Sequence, residues 1–114
     1  MVDNTAQVPP GFTEIVIDRG PGKEPLRFLG RICAEARRPM STDVQLRYVL
    51  YETSDGQFVS NGSRVRYCGN QEFPAFNMPQ TFDTLERACE WFGDKELKAE
   101  LLRQLDERKS KLGE

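Results

Sequence analysis

The sequence predicts an α+β domain, an antiparallel meander of four or five strands with two C-terminal helices packed on one face. Three observations carry this reading. Residues 26–37 alternate, with Leu26, Phe28, Gly30, Ile32, Ala34 and Ala36 at even positions and Arg27, Arg31, Glu35 and Arg37 among the odd ones. That is the period of a strand with one buried and one charged face. The alternation recurs downstream, punctuated by turn-forming residues such as Ser54-Asp55-Gly56. Beyond residue 83 the apolar spacing becomes helical, first Leu85, Ala88, Cys89 and Phe92, then Leu97, Leu101, Leu105 and Leu112.

Residues 1–11 are polar and end in Val8-Pro9-Pro10-Gly11, which reads as a flexible leader. Phe12–Asp18 forms the first strand, with Ile15 and Ile17 on one side of the alternation. Gly20-Pro21-Gly22-Lys23-Glu24-Pro25 connects it to the second strand, which starts at Leu26 and is ended by Pro39. The third strand runs from Val44 to Thr53, where Leu46, Tyr48 and Leu50 alternate with Arg47, Val49 and Tyr51. Both sets are bulky, so periodicity leaves its inner face open. A three-residue loop at Ser54-Asp55-Gly56, with the glycine supplying a left-handed residue, sets Phe58 opposite Glu52 and beside Leu46, Tyr48 and Leu50.

Asn61-Gly62 reads as a two-residue hairpin turn that pairs Phe58 with Val65 and Val59 with Arg64. Val65 and Tyr67 then face inward, and Arg64 and Arg66 outward. Residues 69–80 carry two prolines and three bulky apolar side chains. They form an edge strand or a flap, because proline excludes a central strand. Asp83 followed by Glu86 fits a helix-capping pair. Gly93 stops the first helix, and Asp94 caps the second. The domain spans 12–105, and the highly charged stretch 106–114 is a helix end or tail that projects or frays.

The chain has 114 residues, enough for one domain with its own core. Its net charge of −2 argues against a general polyanion binder. The charge is uneven, however. Residues 26–68 carry seven basic and four acidic side chains, and residues 69–114 carry seven basic and ten acidic. The basic excess therefore belongs to the strands and the acidic excess to the helices. Three widely spaced cysteines, Cys33, Cys68 and Cys89, with no Cys-x-x-Cys pair, read as reduced thiols of a cytoplasmic protein. Cys33 and Cys68 are expected on the outer face of the sheet. No targeting segment or apolar run of membrane-spanning length is visible. Asn61-Gly62-Ser63 matches a glycosylation acceptor that a cytoplasmic chain does not use.

Histidine is absent, which removes the commonest general base, nucleophile activator and metal ligand. The cysteine spacing fits no zinc pattern, and no cofactor is expected. Glu14 and Asp18 share a strand face but lie roughly 13 Å apart, beyond the carboxylate separation of glycosidases. They are expected to pair with Arg27 and Arg31 instead. Gly20-Pro21-Gly22-Lys23 lacks the spacing of a phosphate loop and precedes a strand. These exclusions leave a non-enzyme.

Two binding surfaces are expected. Arg27, Arg31, Arg47, Arg64 and Arg66 should project from one sheet face together with Tyr51, offering guanidinium forks and a stacking plane. The segment 69–80, through Phe73, Phe76 and Met78, should join Trp91 in contacting a partner, since Trp91 falls off the apolar stripe of its helix. The leading functional reading is a protein–protein interaction module, such as an adaptor, inhibitor or immunity-type protein. The alternative is a single-stranded nucleic-acid binder using the arginine face. The leucine stripe of the last helix also offers a homodimer seam.

The ordered string Glu14-Ile15-Val16-Ile17-Asp18, Arg27-Phe28-Leu29-Gly30-Arg31, Tyr48-Val49-Leu50-Tyr51 with Gly56, and Phe82-Asp83-Thr84-Leu85-Glu86 resembles the small bacterial proteins called EXLDI. The resemblance covers residues 12–105. It implies a small bacterial protein of no assigned activity and carries no catalytic residue over.

Overall fold

A computed structural model describes residues 10–112, and the side chains of these except at 74, 75 and 109–112. Five strands, β1 (Thr13–Ile17), β2 (Leu26–Pro39), β3 (Val44–Thr53), β4 (Phe58–Cys68) and β5 (Gln71–Phe82), precede two helices, α1 (Leu85–Glu90) and α2 (Lys95–Leu112). The strands form one sheet in the order β1-β2-β3-β4-β5, every neighbour antiparallel. This is the expected meander with two helices behind it. Among the described residues, no helix is long and apolar enough to cross a membrane.

Both faces of the sheet carry a core. On the helix side, Ala34, Ala36, Tyr48 and Leu50 pack with Ala88, Cys89, Phe92, Leu97 and Leu101. On the other side, Ile17, Val49, Tyr51 and Val59 form a second cluster, flanked by Ile15, Leu26 and Phe28. The central run Tyr48-Val49-Leu50-Tyr51 is buried on both sides, which is why its alternation did not choose an inner face. The sheet curls enough that the β1–β2 connection faces β5 across a cleft of about 600 Å³.

The loop at residues 54–56 forms as expected. Gly56 is left-handed at φ 87°, its N–H donates to the Thr53 carbonyl, and Phe58 lies opposite Glu52. The hairpin turn expected at Asn61-Gly62 does not form. Both residues sit inside β4, opposite Val49 and Tyr48. Tertiary packing claims them: the Asn61 side chain bonds Asn77 and the Met78 N–H. Gly62 lies beneath Tyr48 and Trp91, where an added Cβ would sit 3.4 and 3.5 Å from their rings.

Two bulges reset the alternation. At Cys33 the β2–β3 register shifts between Ile32 and Ala34, so Leu26 and Phe28 serve the second core while Ala34 and Ala36 serve the helix-side core. One extra residue in a strand moves everything after it to the opposite face. A second irregularity between Arg64 and Val65 lies opposite residues 74–76. Segment 69–80 is thus an edge strand, as its prolines require.

The helix signals hold with two changes: α1 ends at Glu90 with Trp91 as its C-cap, before Gly93 is reached, and its N-cap moves by one residue. Thr84, rather than Asp83, caps α1 by accepting from the Arg87 N–H. Asp94 caps α2 by accepting from Leu97 N–H at 3.0 Å. Asp83 instead pairs with Arg87 at 3.4 Å. The helix does not stop contributing at residue 105: Arg108 donates to the carbonyls of Ile32 and Cys33, each at 3.1 Å. The Leu112 side chain and the expected leader through Pro9 lie outside the described residues.

Candidate functional site

The arginines expected on one face are divided between two. Direct cross-strand partners share a face, so Arg31 opposite Glu52, Arg64 opposite Leu46 and Arg66 opposite Val44 lie on the helix side. Arg47 and Tyr51 project from the other side, in the phase of Val49. The cause is twofold: the bulge at Cys33 changes the phase of β3 relative to Arg31, and the missing Asn61-Gly62 turn moves Arg64 and Arg66 to the face of Phe58. Arg27 is exposed opposite Val16 at the β1 edge.

Most of these arginines are engaged. Arg31 donates from Nε and Nη2 to Glu52 Oε1 at 2.9 and 2.7 Å, and its guanidinium stacks over Phe12 at 4.9 Å. Neither Glu14 nor Asp18 is its partner; the Asp18 carboxylate accepts from Gly20 N–H. Arg47 donates to Glu35, which also takes Arg37. Arg37 reaches Tyr67 and Glu72, and Tyr67 donates to Gln45. Burial pushes the Glu35 carboxyl up, but the Arg47 hydrogen bond and the charges of Arg47 and Arg37 outweigh it and hold the group below its ordinary value. Tyr51 is only 7% exposed, and burial pushes its phenol up. It packs edge-on against Phe28 and offers no open stacking plane. This side is a satisfied polar network joined to a core.

Arg64 and Arg66 differ. Both are exposed, and among the described residues neither forms an ion pair, whereas Arg31, Arg37, Arg38 and Arg47 each do. They flank Phe76 and Val44 around a dimple of about 200 Å³. Beside them on β5, Phe73, Phe76 and Met78 are 46%, 56% and 55% exposed. Phe73 opposes Arg66, Phe76 opposes Arg64 and Met78 opposes Gly62. The bulge at 74–75 therefore brings all three onto the helix-side face. Trp91 closes one end of this surface: it lines the cleft that Met78 also lines and packs edge-on against Phe92.

The surface is open because the helix layer is short there. Six residues of α1 extend about 9 Å, whereas the twelve residues of β5 extend about 40 Å. Of the ten residues singled out from sequence, the structure gathers Arg64, Arg66, Phe73, Phe76, Met78 and Trp91 into one neighbourhood and leaves Arg27, Arg31, Arg47 and Tyr51 apart from it. Val44, the floor of the dimple, carried no signal in the sequence.

A second concavity, absent from the sequence reading, lies between α1, α2 and the sheet. It is an open groove of about 910 Å³. Cys33 and Cys89 both line it, so Cys33 is not on an open outer face. Cys68 is exposed elsewhere. Burial pushes both groove thiols up from their ordinary value. The adjacent exposed Leu102, outside the stripe of Leu97 and Leu101, was the available clue.

No family model, curated protein or solved structure matches the chain.

Proposed function

We propose that this chain is a non-enzymatic protein-interaction module that binds an acidic, amphipathic segment of a partner protein over the β4–β5 surface. One observation carries the reading: three half-exposed, bulky apolar side chains on one face of an edge strand stand beside two arginines without a carboxylate partner among the described residues. Scattered apolar exposure is ordinary, but a contiguous cluster rimmed by charge marks an interaction surface. The dimple bounded by Arg64, Arg66 and Phe76 suits one inserted apolar side chain, with neighbouring carboxylates meeting the guanidinium groups. A second copy of the chain fits less well, because it would bring the same cations to the contact. The two prolines of β5 remove backbone donors from its edge, which favours docking on the face over strand addition.

The alternative of single-stranded nucleic-acid binding rested on one continuous arginine–tyrosine platform. With Tyr51 buried and Arg47 paired on the far side, that support is gone. Replacement of Phe76 by a photoreactive benzoylphenylalanine tests the proposal. Irradiation in an extract of the source organism should yield a discrete protein adduct that disappears in the Arg64→Glu/Arg66→Glu background. Adducts to nucleic acid, or adducts indifferent to the charge reversal, would overturn it.

A further inference from the structure

The groove between the helices is separate from the β4–β5 surface. We propose that it binds a neutral, predominantly apolar small molecule. Its floor is Cys33, Phe58, Cys89 and Leu105, and its lips are Leu85 and Leu102, which are 39% and 45% exposed. A volume of about 910 Å³ falls within the range of small-molecule sites, which are mainly apolar with a few placed polar groups.

The charges around the opening select against an anionic guest, and the apolar floor disfavours burying a charge of either sign. Arg31 and Glu52 neutralise each other, and Arg108, which keeps its charge, is held at the sheet edge by the carbonyls of Ile32 and Cys33. The other charged lining residues are Lys98 against Glu86, Glu90 and Asp106, so an anionic headgroup meets more carboxylates than cations. The floor is uncharged as well, since burial keeps both thiols protonated. A partner helix is a poorer occupant. The α2 surface next to Leu102 carries the Glu100–Arg103–Glu107 ion network, a solvated face unlike the apolar centre of an interface.

N-phenyl-1-naphthylamine is a suitable neutral probe, and 8-anilinonaphthalene-1-sulfonate is its anionic counterpart. The full chain should bind the neutral probe saturably, one per chain, and the sulfonate at least about tenfold more weakly, as an uncompensated charge in an apolar site requires. Leu102→Glu is exposed enough to fold normally and should weaken the neutral probe by about tenfold or more. Leu85→Glu provides a second lip variant. Maleimide should label Cys33 more slowly when the neutral probe is bound, while Cys68 labels at an unchanged rate. Absent saturable binding, equal binding of the sulfonate, insensitivity to both lip variants, or equal protection of Cys68 would each overturn the proposal.

Discussion

Single side chains show where the fold has no slack. Gly30 is buried between Phe28 and the β3 backbone. A Cβ there would lie 2.6 Å from the Phe28 ring and 3.0 Å from the Glu52 carbonyl oxygen. The ring can rotate, but the carbonyl belongs to the β2–β3 ladder. Gly30→Ala should therefore destabilise the protein by about 1–3 kcal/mol, read as a lower urea midpoint with unchanged slope. Asp94 offers a pH probe. Its carboxyl accepts from the Leu97 N–H, and that bond, with the hydrogen bond and charge of Arg38, holds it below its ordinary 3.8 despite burial. A folded value below the unfolded one gives stability that is complete above the unfolded value and lost as pH falls through the folded one. Glu35 shifts in the same direction. Stability should thus decline below about pH 4. Asp94→Asn, which keeps a capping side chain, should flatten that acid limb in urea titrations. An unchanged acid limb would mean that the charge of Asp94 contributes nothing.

At the scale of elements, the C-terminal part of β2 has an open edge that α2 covers. β1 pairs only with Leu26–Gly30, leaving the rest of β2 with a strand on one side. Gln104 mimics the missing strand: its Oε1 accepts from Glu35 N–H at 3.0 Å and its Nε2 donates to the Glu35 carbonyl at 2.7 Å. Arg108 extends the cover to Ile32 and Cys33. Uncovered edges template association. Gln104→Ala with Arg108→Ala should speed exchange of the Glu35 amide and produce concentration-dependent oligomers in light scattering; a strictly monomeric variant with unchanged exchange would refute this role. The same scale explains what the sequence could and could not reveal. Gly56 and the prolines of β5 were legible because their backbone demands are local. Asn61-Gly62 misled because a turn signal was overridden by packing against Trp91 and by the Asn61 bonds to β5. The bulges at Cys33 and 74–75 have no local signature, yet each flips every later side chain. The arginine face was therefore misassembled, while the Phe73, Phe76 and Met78 cluster was found without the reason those three share a face.

The molecule as a whole is organised around β3, whose alternate residues feed the two cores. Leu50 faces the helices and Val49 the opposite cluster, and both are fully buried. Neither core can lose its part of β3 without breaking the ladder that holds the other. The helix layer is tied to the sheet at several points: Ser60 donates to the Ala88 carbonyl at 2.7 Å, Tyr48 accepts from the Asp94 N–H at 3.0 Å, and Arg38 pairs with Asp94 at 2.6 Å. These links predict one cooperative transition rather than separate melting of helices and sheet. Trp91 reports on the helix side, and the amide of Val59 reports on the opposite core. Leu50→Ala, which hollows only the helix-side core, should cost about 2–5 kcal/mol. It should lower the urea midpoint of Trp91 fluorescence and the exchange protection of the Val59 amide by the same free energy. If the fluorescence transition moved while Val59 kept its protection, the two cores would be independent units, and the shared central strand would not couple them.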